Sequence, residues 1–132
     1  MKRQTYSTQF PNKPSFCLYH LIIDDDELTL LSLRSLLDKY NFLVITSTSG
    51  SKALNILSNI KIDIVLLDYN MPESNGLEIL KTIKAEFPFM KVIIHSALDD
   101  KHIENQLLEA GAACFIPKMN DELLINTILS YS

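Results

Sequence analysis

Residues 64–80 read IVLLDYNMPESNGLEIL, and they give the strongest indication of the fold. Four aliphatic residues end in a single carboxylate, Asp68. A turn-forming segment containing Pro72 follows, and apolar residues then return with helical spacing at Leu77 and Leu80. The pattern predicts a buried strand, a loop and a helix, with Asp68 at the carboxyl end of the strand. Ligands bind at that end of a parallel sheet, because strand ends and helix N-termini form a crevice there. Asp68 is therefore a candidate functional residue.

The same alternation of apolar runs and amphipathic segments occupies the rest of the chain after residue 17. Solid apolar runs are typical of strands that are buried on both faces. Five such strands alternating with five helices predict an α/β fold, a flavodoxin-like (βα)5 doubly wound parallel sheet with strand order 2-1-3-4-5. The predicted strands are 18–23, 42–45, 64–67, 91–95 and 113–116, and the predicted helices run from the acids at 24–27 to about 40, then over 52–59, 76–87, 100–110 and 121–130.

Length and composition limit the class of protein. A chain of 132 residues suits one domain, which would bury roughly two-thirds of its unfolded surface. We expect residues 18–132 to form it, and residues 1–17, which are polar and contain prolines, to be a flexible N-terminal extension. Cys17 and Cys114 lack metal-ligand spacing and are interpreted as free thiols.

Charge and hydropathy also restrict location and partners. Apolar runs fall far short of the ~20 residues of a membrane span, and the N-terminus lacks the apolar core of a signal peptide, so we expect no membrane partner and a cytoplasmic protein. Sixteen acidic side chains against twelve basic ones argue against direct nucleic acid binding by this domain.

Acidic side chains follow two strands that the predicted order makes neighbours. Asp24 and Asp25 end the first strand and Asp68 ends the third, so three carboxylates would share one crevice. Their mutual repulsion requires a proton or a cation, and Mg²⁺ suits carboxylate oxygens that leave room for phosphate. Ser96 and Lys118 end the fourth and fifth strands. A metal site, a carboxylate nucleophile, a hydroxyl and an ammonium are the groups that phosphoryl transfer requires.

These residues also carry a resemblance to a known family. The span from about 18 to 129 resembles the receiver domain of two-component response regulators. Each motif is weak alone, but together they occur in order and at the expected strand ends. The matching positions are the pair Asp24-Asp25, Asp68 within LDYNMP with Gly76 eight positions later, Ser96-Ala97, and Lys118.

The resemblance implies a phosphoacceptor domain that catalyses only its own phosphorylation and dephosphorylation and is not otherwise an enzyme. Its phosphodonor would be a sensor histidine kinase or a phosphotransfer protein, and Mg²⁺ its cofactor. Asp68 would be the phosphoacceptor, and Asp25 and Asp68 would be direct ligands of the metal. Asp24 would contact the metal through water, and Asn70 would contribute its backbone carbonyl. Lys118 would pair with the phosphoryl oxygens.

The resemblance further implies how the phosphoryl group is read and lost. Ser96 would be the switch hydroxyl, and Phe115 the aromatic residue whose rotamer follows it. The surface of helix 4, strand 5 and helix 5 would then control an output domain or a homodimer. Asn70 and Leu98, two positions beyond Asp68 and Ser96, would line the approach of the water that removes the phosphoryl group.

One position departs from the family pattern. Most receivers have a cis proline after the lysine, whereas here Met119 follows Lys118 and Pro117 precedes it. A cis bond before a non-proline residue costs about 3–4 kcal/mol, so we expect Lys118–Met119 to be trans. The FIPK sequence at 115–118 resembles receivers joined to LuxR-type helix-turn-helix domains, in which case the chain would be the receiver part of a longer regulator.

Several alternatives remain open at this point. The acids at 24–26 could simply begin a helix, Ser96 could be a turn residue, and Phe115 could be a core residue. A haloacid-dehalogenase-like phosphatase would use Asp24 as nucleophile and Asp26 as acid/base, although Leu28 stands where that family has Thr. A degenerate receiver would bind partners without phosphorylation, but the acid, hydroxyl and lysine set is complete.

Overall fold

The computed structural model describes residues 18–72 and 75–131, so the expectation of a flexible segment at 1–17 lies outside the described residues. Strands and helices alternate throughout the described ranges. The strands are β1 (Tyr19–Ile23), β2 (Leu43–Ser47), β3 (Ile64–Leu67), β4 (Lys91–Ser96) and β5 (Cys114–Pro117), and the helices are α1 (Glu27–Asp38), α2 (Gly50–Asn59), α3 (Gly76–Glu86), α4 (Lys101–Glu109) and α5 (Asp121–Ser130).

The five strands form one parallel sheet in the order β2-β1-β3-β4-β5, which confirms the predicted fold. Successive side chains point to opposite faces of the sheet and enter two separate cores. Leu21, Val65 and Ile94 face a core that includes side chains of α2, α3 and α4. Ile22 and Ile93 face a core filled by α1 and α5. All five carboxyl ends therefore meet at one edge of the sheet, where the candidate site residues lie.

Helix-capping side chains explain where several elements begin. The prediction that α2 starts at Lys52 is wrong by two residues, because Ser49 is the N-cap and its hydroxyl accepts the N–H of Lys52 at 3.3 Å. Strands β2, β4 and β5 each extend one or two residues past their predicted ends, to Ser47, Ser96 and Pro117. These end residues are paired with residues of the neighbouring strand, although their own polar or proline character had predicted loops.

The apolar pattern of α1 is only partly buried. Leu30, Leu33 and Leu37 enter the core, whereas Leu28 and Leu31 are exposed to 74% and 62%. None of the described peptide bonds is cis, so the expectation of a trans Lys118–Met119 bond is confirmed. Within these ranges no helix has the length and apolar character needed to cross a bilayer, and Cys114 is a free thiol.

Candidate functional site

Backbone pairing between β1 and β3 sets the two central carboxylates side by side. Ile23 is paired with Leu67, and the N–H of Asp68 donates to the carbonyl of Ile23 at 2.9 Å. The next residues, Asp24 and Asp68, are buried at 1% and 4% exposure, while Asp25 is exposed. Each of these three residues contributes an oxygen that lies within 4.8 Å of the oxygens of the other two. The sheet therefore brings together the three acids that the sequence predicted.

Lys118 links the two buried acids from the end of β5. Its ammonium lies 2.9 Å from an Asp24 oxygen and 3.5 Å from an Asp68 oxygen. Its backbone N–H donates to the carbonyl of Ser96 at 2.9 Å, which extends the β4–β5 pairing by one bond and fixes the start of the side chain. A single cation thus partly neutralises two carboxylates that lie 94 and 50 residues away in sequence.

The three acids after β1 differ in their surroundings. Both oxygens of Asp24 are engaged, one by Lys118 and the other by the N–H of Asp26 at 2.9 Å. Asp26 is the N-cap of α1, and its carboxylate accepts from the N–H of Leu28 and the hydroxyl of Thr29. For Asp26 the simple helix-start interpretation is therefore correct. The sequence had left two interpretations of Asp26 open, a helix start and the acid/base of a phosphatase, and these side-chain contacts favour the helix start.

Gly76 shapes the loop that follows Asp68. Its N–H donates to the carbonyl of Tyr69 at 2.7 Å, which brings the start of α3 against the phosphoacceptor candidate's backbone. A Cβ built on Gly76 would lie 2.7 Å from the Tyr69 Cα and 3.0 Å from the Asp68 carbonyl oxygen. Real side chains do not approach backbone so closely, so this spacing in the sequence reflects a close contact that only glycine allows.

Burial and repulsion change the acidity of Asp68. Loss of hydration and the charge of Asp24 raise the pKa of Asp68 to about 6, although Lys118 and the backbone N–H of Asn70 act in the opposite direction. Burial of Lys118 lowers its pKa. The contacts with Asp24 and Asp68 have the larger effect, so the pKa of Lys118 is raised overall. At neutral pH the site therefore holds a carboxylate that gains from a nearby cation, beside an ammonium that stays charged.

Ser96 and Phe115 lie on the same face of the sheet as the larger core. Ser96 is fully buried, and its hydroxyl accepts the N–H of Leu98 at 3.1 Å, as a turn residue would. The register pairs Ile94 with Phe115 and Ser96 with Pro117, so Phe115 stands one strand across and two residues back from Ser96. Phe115 is half-buried and packs against that core, while Leu98 is half-buried and Asn70 exposed at the edge of the sheet.

His95 is a residue that sequence reasoning assigned no place near the site. It is 5% exposed and, with Lys118 and Met119, lines a cavity of about 380 Å³ between α1 and the start of α5. Burial and the charge of Lys118 lower the pKa of His95 to about 4 despite Asp24 and Asp121, so the imidazole is neutral at physiological pH. The sequence feature that could have placed His95 near the site is that it directly precedes Ser96.

Comparison with known proteins decides between the rival families. Residues 21–129 match the sequence profile of the response regulator receiver domain. The chain belongs to this family. Receiver domains are phosphoacceptor signalling domains with an acidic Mg²⁺ pocket, so this receiver is a phosphorylation-controlled signalling switch and the prediction from sequence is confirmed.

Individual relatives support the assignment. The receiver is 33% identical to the chemotaxis protein CheY of Thermotoga maritima, over 74% of this chain and 82% of CheY. It is 37% identical to a cyclic di-GMP phosphodiesterase of the same organism, over 79% of this chain but only 28% of the relative. Among solved structures, a CheX–CheY–BeF3–Mg²⁺ complex from Borrelia burgdorferi contains a chain with a TM-score of 0.77 and 29% identity, covering 86% of this receiver and 87% of that chain.

The raised pKa of Asp68 predicts a pH-dependent stability difference. In metal-free buffer above pH 6 wild type bears the cost of a buried carboxylate, on the order of 3 kcal/mol, because its folded pKa of about 6 exceeds the ordinary 3.8. The Asp68→Asn variant lacks that cost. We expect it to unfold at higher temperature than wild type at pH 8, with the gap shrinking as pH falls through 6 toward 4 and wild type binds its proton.

Thermal unfolding followed by circular dichroism across this pH range, with a chelator present, measures the difference. Asp99→Asn, which alters an exposed carboxylate outside the cluster, is the matched control and should track wild type. A gap that stays constant with pH, or an Asp68→Asn variant less stable than wild type at pH 8, would contradict the strain assigned to Asp68.

Proposed function

We propose that Asp68 accepts a phosphoryl group from the phosphohistidine of a sensor histidine kinase or phosphotransfer protein in a Mg²⁺-dependent step. One observation carries the proposal: Asp24, Asp25 and Asp68 converge at the sheet edge while the Lys118 ammonium contacts two of them. This set supplies a nucleophile, ligands for a hard cation and a second positive charge. By the same proposal the domain catalyses only its own phosphorylation and dephosphorylation.

The proposed transfer uses an Asp68 carboxylate oxygen as nucleophile. A bond forms between that oxygen and phosphorus while the phosphorus–nitrogen bond to the donor imidazole breaks, and the imidazole keeps the electron pair. Lys118, 3.5 Å from Asp68, can turn from the carboxylates to the incoming phosphoryl oxygens without leaving the site. The Lys118 ammonium would then stabilise the negative charge that develops on the equatorial phosphoryl oxygens. Positioning and electrostatic stabilisation of this kind account for most of the acceleration of phosphoryl transfer.

The donor atoms fit Mg²⁺. All three clustered side chains offer oxygen, the ligand type that Mg²⁺ prefers, and none offers sulfur or imidazole. Asp25 and Asp68 would hold the ion directly with the backbone carbonyl of Asn70, whereas Asp24, whose oxygens already bind Lys118 and the Asp26 N–H, would act through water. Bound there, Mg²⁺ would neutralise the carboxylates and the phosphoryl charge.

Readout of the phosphoryl group is proposed to run through Ser96 and Phe115. The Ser96 hydroxyl oxygen can still accept the N–H of Leu98 while the hydroxyl donates its own proton to a phosphoryl oxygen. If the loop after β4 follows that hydroxyl, the space beside β5 becomes available to Phe115, which is only half-buried. A phosphoryl group shifts the two packed states only by contacting one of them better.

The surface of α4, β5 and α5 is the proposed site of the output. It carries exposed apolar side chains on both helices, Leu108 on α4 and Leu123 and Leu129 on α5. Apolar side chains at a surface are suited to partner contacts that depend on conformation. An output domain or a second receiver would bind there, and a LuxR-type output remains a prediction from the FIPK sequence alone.

The two competing functions are less well supported. In the phosphatase alternative Asp26 would be an acid/base, but its carboxylate is committed to capping α1. A degenerate receiver would not need Lys118 within contact of two buried acids. We therefore retain a phosphorylated switch as the proposed function.

Phosphorylation by a small donor tests the acceptor. Intact mass after incubation with acetyl phosphate and Mg²⁺ should rise by one phosphoryl group in wild type and in the control Asp99→Asn, and should not change in Asp68→Asn. Removing a proposed metal ligand by Asp25→Ala should slow labelling by ~10-fold or more. Full labelling of Asp68→Asn, or labelling undiminished by a chelator, would disprove the proposal.

Beryllofluoride, a phosphoryl mimic, tests the readout. Amide chemical shifts recorded with and without beryllofluoride and Mg²⁺ should change at 96–111 and 114–121 as well as near Asp68. Phe115→Ala should reduce the changes at α4 and α5 while leaving those beside Asp68. Changes limited to the loop after Asp68 in wild type would show that the signal does not reach the proposed surface.

Leu98 is predicted to prolong the phosphorylated state. Its side chain offers neither donor nor acceptor to a water approaching the acyl phosphate, whereas a well-positioned polar group contributes ~10²–10⁴-fold to such a step. After removal of acetyl phosphate, Leu98→Gln should lose its phosphoryl group several-fold faster than wild type, as followed by intact mass. Leu108→Gln, the same change on α4, should decay like wild type. Equal or slower decay of Leu98→Gln would show that Leu98 does not control water access.

A further inference from the structure

Strand β2 is an outermost strand of the sheet and lacks the usual protection against pairing. It pairs with β1 on one side, and within residues 18–72 and 75–131 no strand pairs with its other side. Its sequence, LVITS, contains neither a charged residue nor a proline. Natural sheets commonly protect an outermost strand with such residues, and β5 at the opposite side does contain one, Pro117. The outer side of β2 therefore presents main-chain groups suited to pairing with another strand.

The flanking helices leave this outer side accessible. Helix α2 contacts both β1 and β2, so it lies over the sheet rather than beside its last strand. Val44, Ile45 and Thr46 are half-buried, although α1 and α2 pack on opposite faces of the strand. Cavities of about 350 and 370 Å³ open along β2. A second strand can therefore approach the backbone of β2.

The backbone of β2 alternates between bonding to β1 and facing outward. The N–H of Leu43 and the carbonyl of Ser47 bond to the residues that flank β1, at 3.2 and 3.0 Å. Backbone groups of alternate strand residues point to the same side, so Ile45 also bonds toward β1. The N–H and carbonyl groups of Val44 and Thr46 consequently point away from the sheet.

These outward groups match those of an identical strand. If a second β2 runs antiparallel about a twofold axis at Ile45, Val44 lies opposite Thr46 of the second copy, and Thr46 lies opposite its Val44. Each such pair exchanges both N–H···O=C bonds, because both residues present a donor and an acceptor outward. The two Ile45 residues form the intervening pair, with Cα atoms ~4.5 Å apart.

Charges on α1 are complementary in the same arrangement. Arg34 donates to the hydroxyl of Thr46 at 3.4 Å and so marks one end of β2. Asp38, one helical turn later, lines the 370 Å³ cavity beside residues 43–45, toward the other end. Both side chains are exposed, and neither forms an ion pair with another described residue. An antiparallel second copy brings its Asp38 toward Arg34 and its Arg34 toward Asp38.

We propose that two copies of this receiver associate through β2, forming a continuous sheet in which Val44 pairs with Thr46 and Arg34 with Asp38 of the second copy. Every contact occurs twice, as in a closed twofold dimer. Because β2 and β5 are opposite outermost strands, the surface of α4, β5 and α5 stays free. The contact involves no residue of the acid cluster, so its failure would leave the proposed phosphorylation intact.

Analytical ultracentrifugation of the full chain tests the association. Without Mg²⁺ or phosphodonor, wild type and Asp68→Asn should both show the same monomer–dimer equilibrium. Val44→Pro removes an N–H that faces outward, at a position where an outermost strand tolerates proline, so the variant should keep its circular dichroism spectrum. Its dimer dissociation constant should rise ~10-fold or more. Wild type that stays monomeric up to ~1 mM, or folded Val44→Pro that dimerises like wild type, would overturn the proposal.

A charge exchange tests the relative orientation of the two copies. Asp38→Lys places two cations together and should weaken the dimer. Adding Arg34→Glu to Asp38→Lys restores opposite charges and should recover most of the affinity. Adding Lys39→Glu to Asp38→Lys gives the same net charge and should not. All three residues are exposed, so the fold should be unaffected. Equal affinities of the two double variants would overturn the antiparallel arrangement.

Disulfide formation tests the register. Ile45→Cys is introduced in a Cys17→Ser, Cys114→Ala background, where the expected Cα separation of ~4.5 Å lies within disulfide range. Mild oxidation should give a covalent dimer. Thr46→Cys is the control, because its counterpart is displaced by two residues and lies beyond the ~7 Å limit for a disulfide. No cross-linking of Ile45→Cys, or equal cross-linking at both positions, would overturn the proposal.

Discussion

The structure depends on one electrostatic constraint, the enforced proximity of Asp24 and Asp68. Both carboxylates are buried at the ends of adjacent parallel strands, and the pairing of Ile23 with Leu67 sets the backbones that carry them side by side. Lys118 offsets part of the repulsion from the far side, through a third strand end. The fold thus maintains a site with excess negative charge, which favours a divalent cation and a phosphoryl group bound with it.

Much of this arrangement was predictable because it follows from order along the chain. Solid apolar runs identified a parallel sheet, and the strand order then placed Asp24, Asp68 and Lys118 at one edge without knowledge of any coordinates. What the sequence could not provide was set by contacts between distant residues. The pairing of Ser96 with Pro117, for example, lengthened two strands beyond their predicted ends. The exposure of Leu28 and Leu31 could not be read from a leucine-rich helix, because several faces of it look equally apolar.

The sheet separates two kinds of surface. Its carboxyl edge holds charge, and its amino edge holds an apolar groove of about 490 Å³ lined by residues 61–63 and 86–90, where Phe89 is exposed. The central strands β1 and β3 are buried throughout, and β4 is buried after its first residue, so the core of the sheet lies between the two edges.

We propose that the geometry of the strand ends selects Asp68, rather than Asp24 or Asp25, as the residue that carries the phosphoryl group. Borohydride reduces an aspartyl phosphate to homoserine and leaves free carboxylates unchanged, so it marks the acceptor directly. The measurement is peptide mass spectrometry of wild-type protein treated with acetyl phosphate and Mg²⁺ and then with borohydride. We expect homoserine at position 68 alone; homoserine at position 24 would rule out Asp68 as the acceptor and favour a phosphatase-like nucleophile.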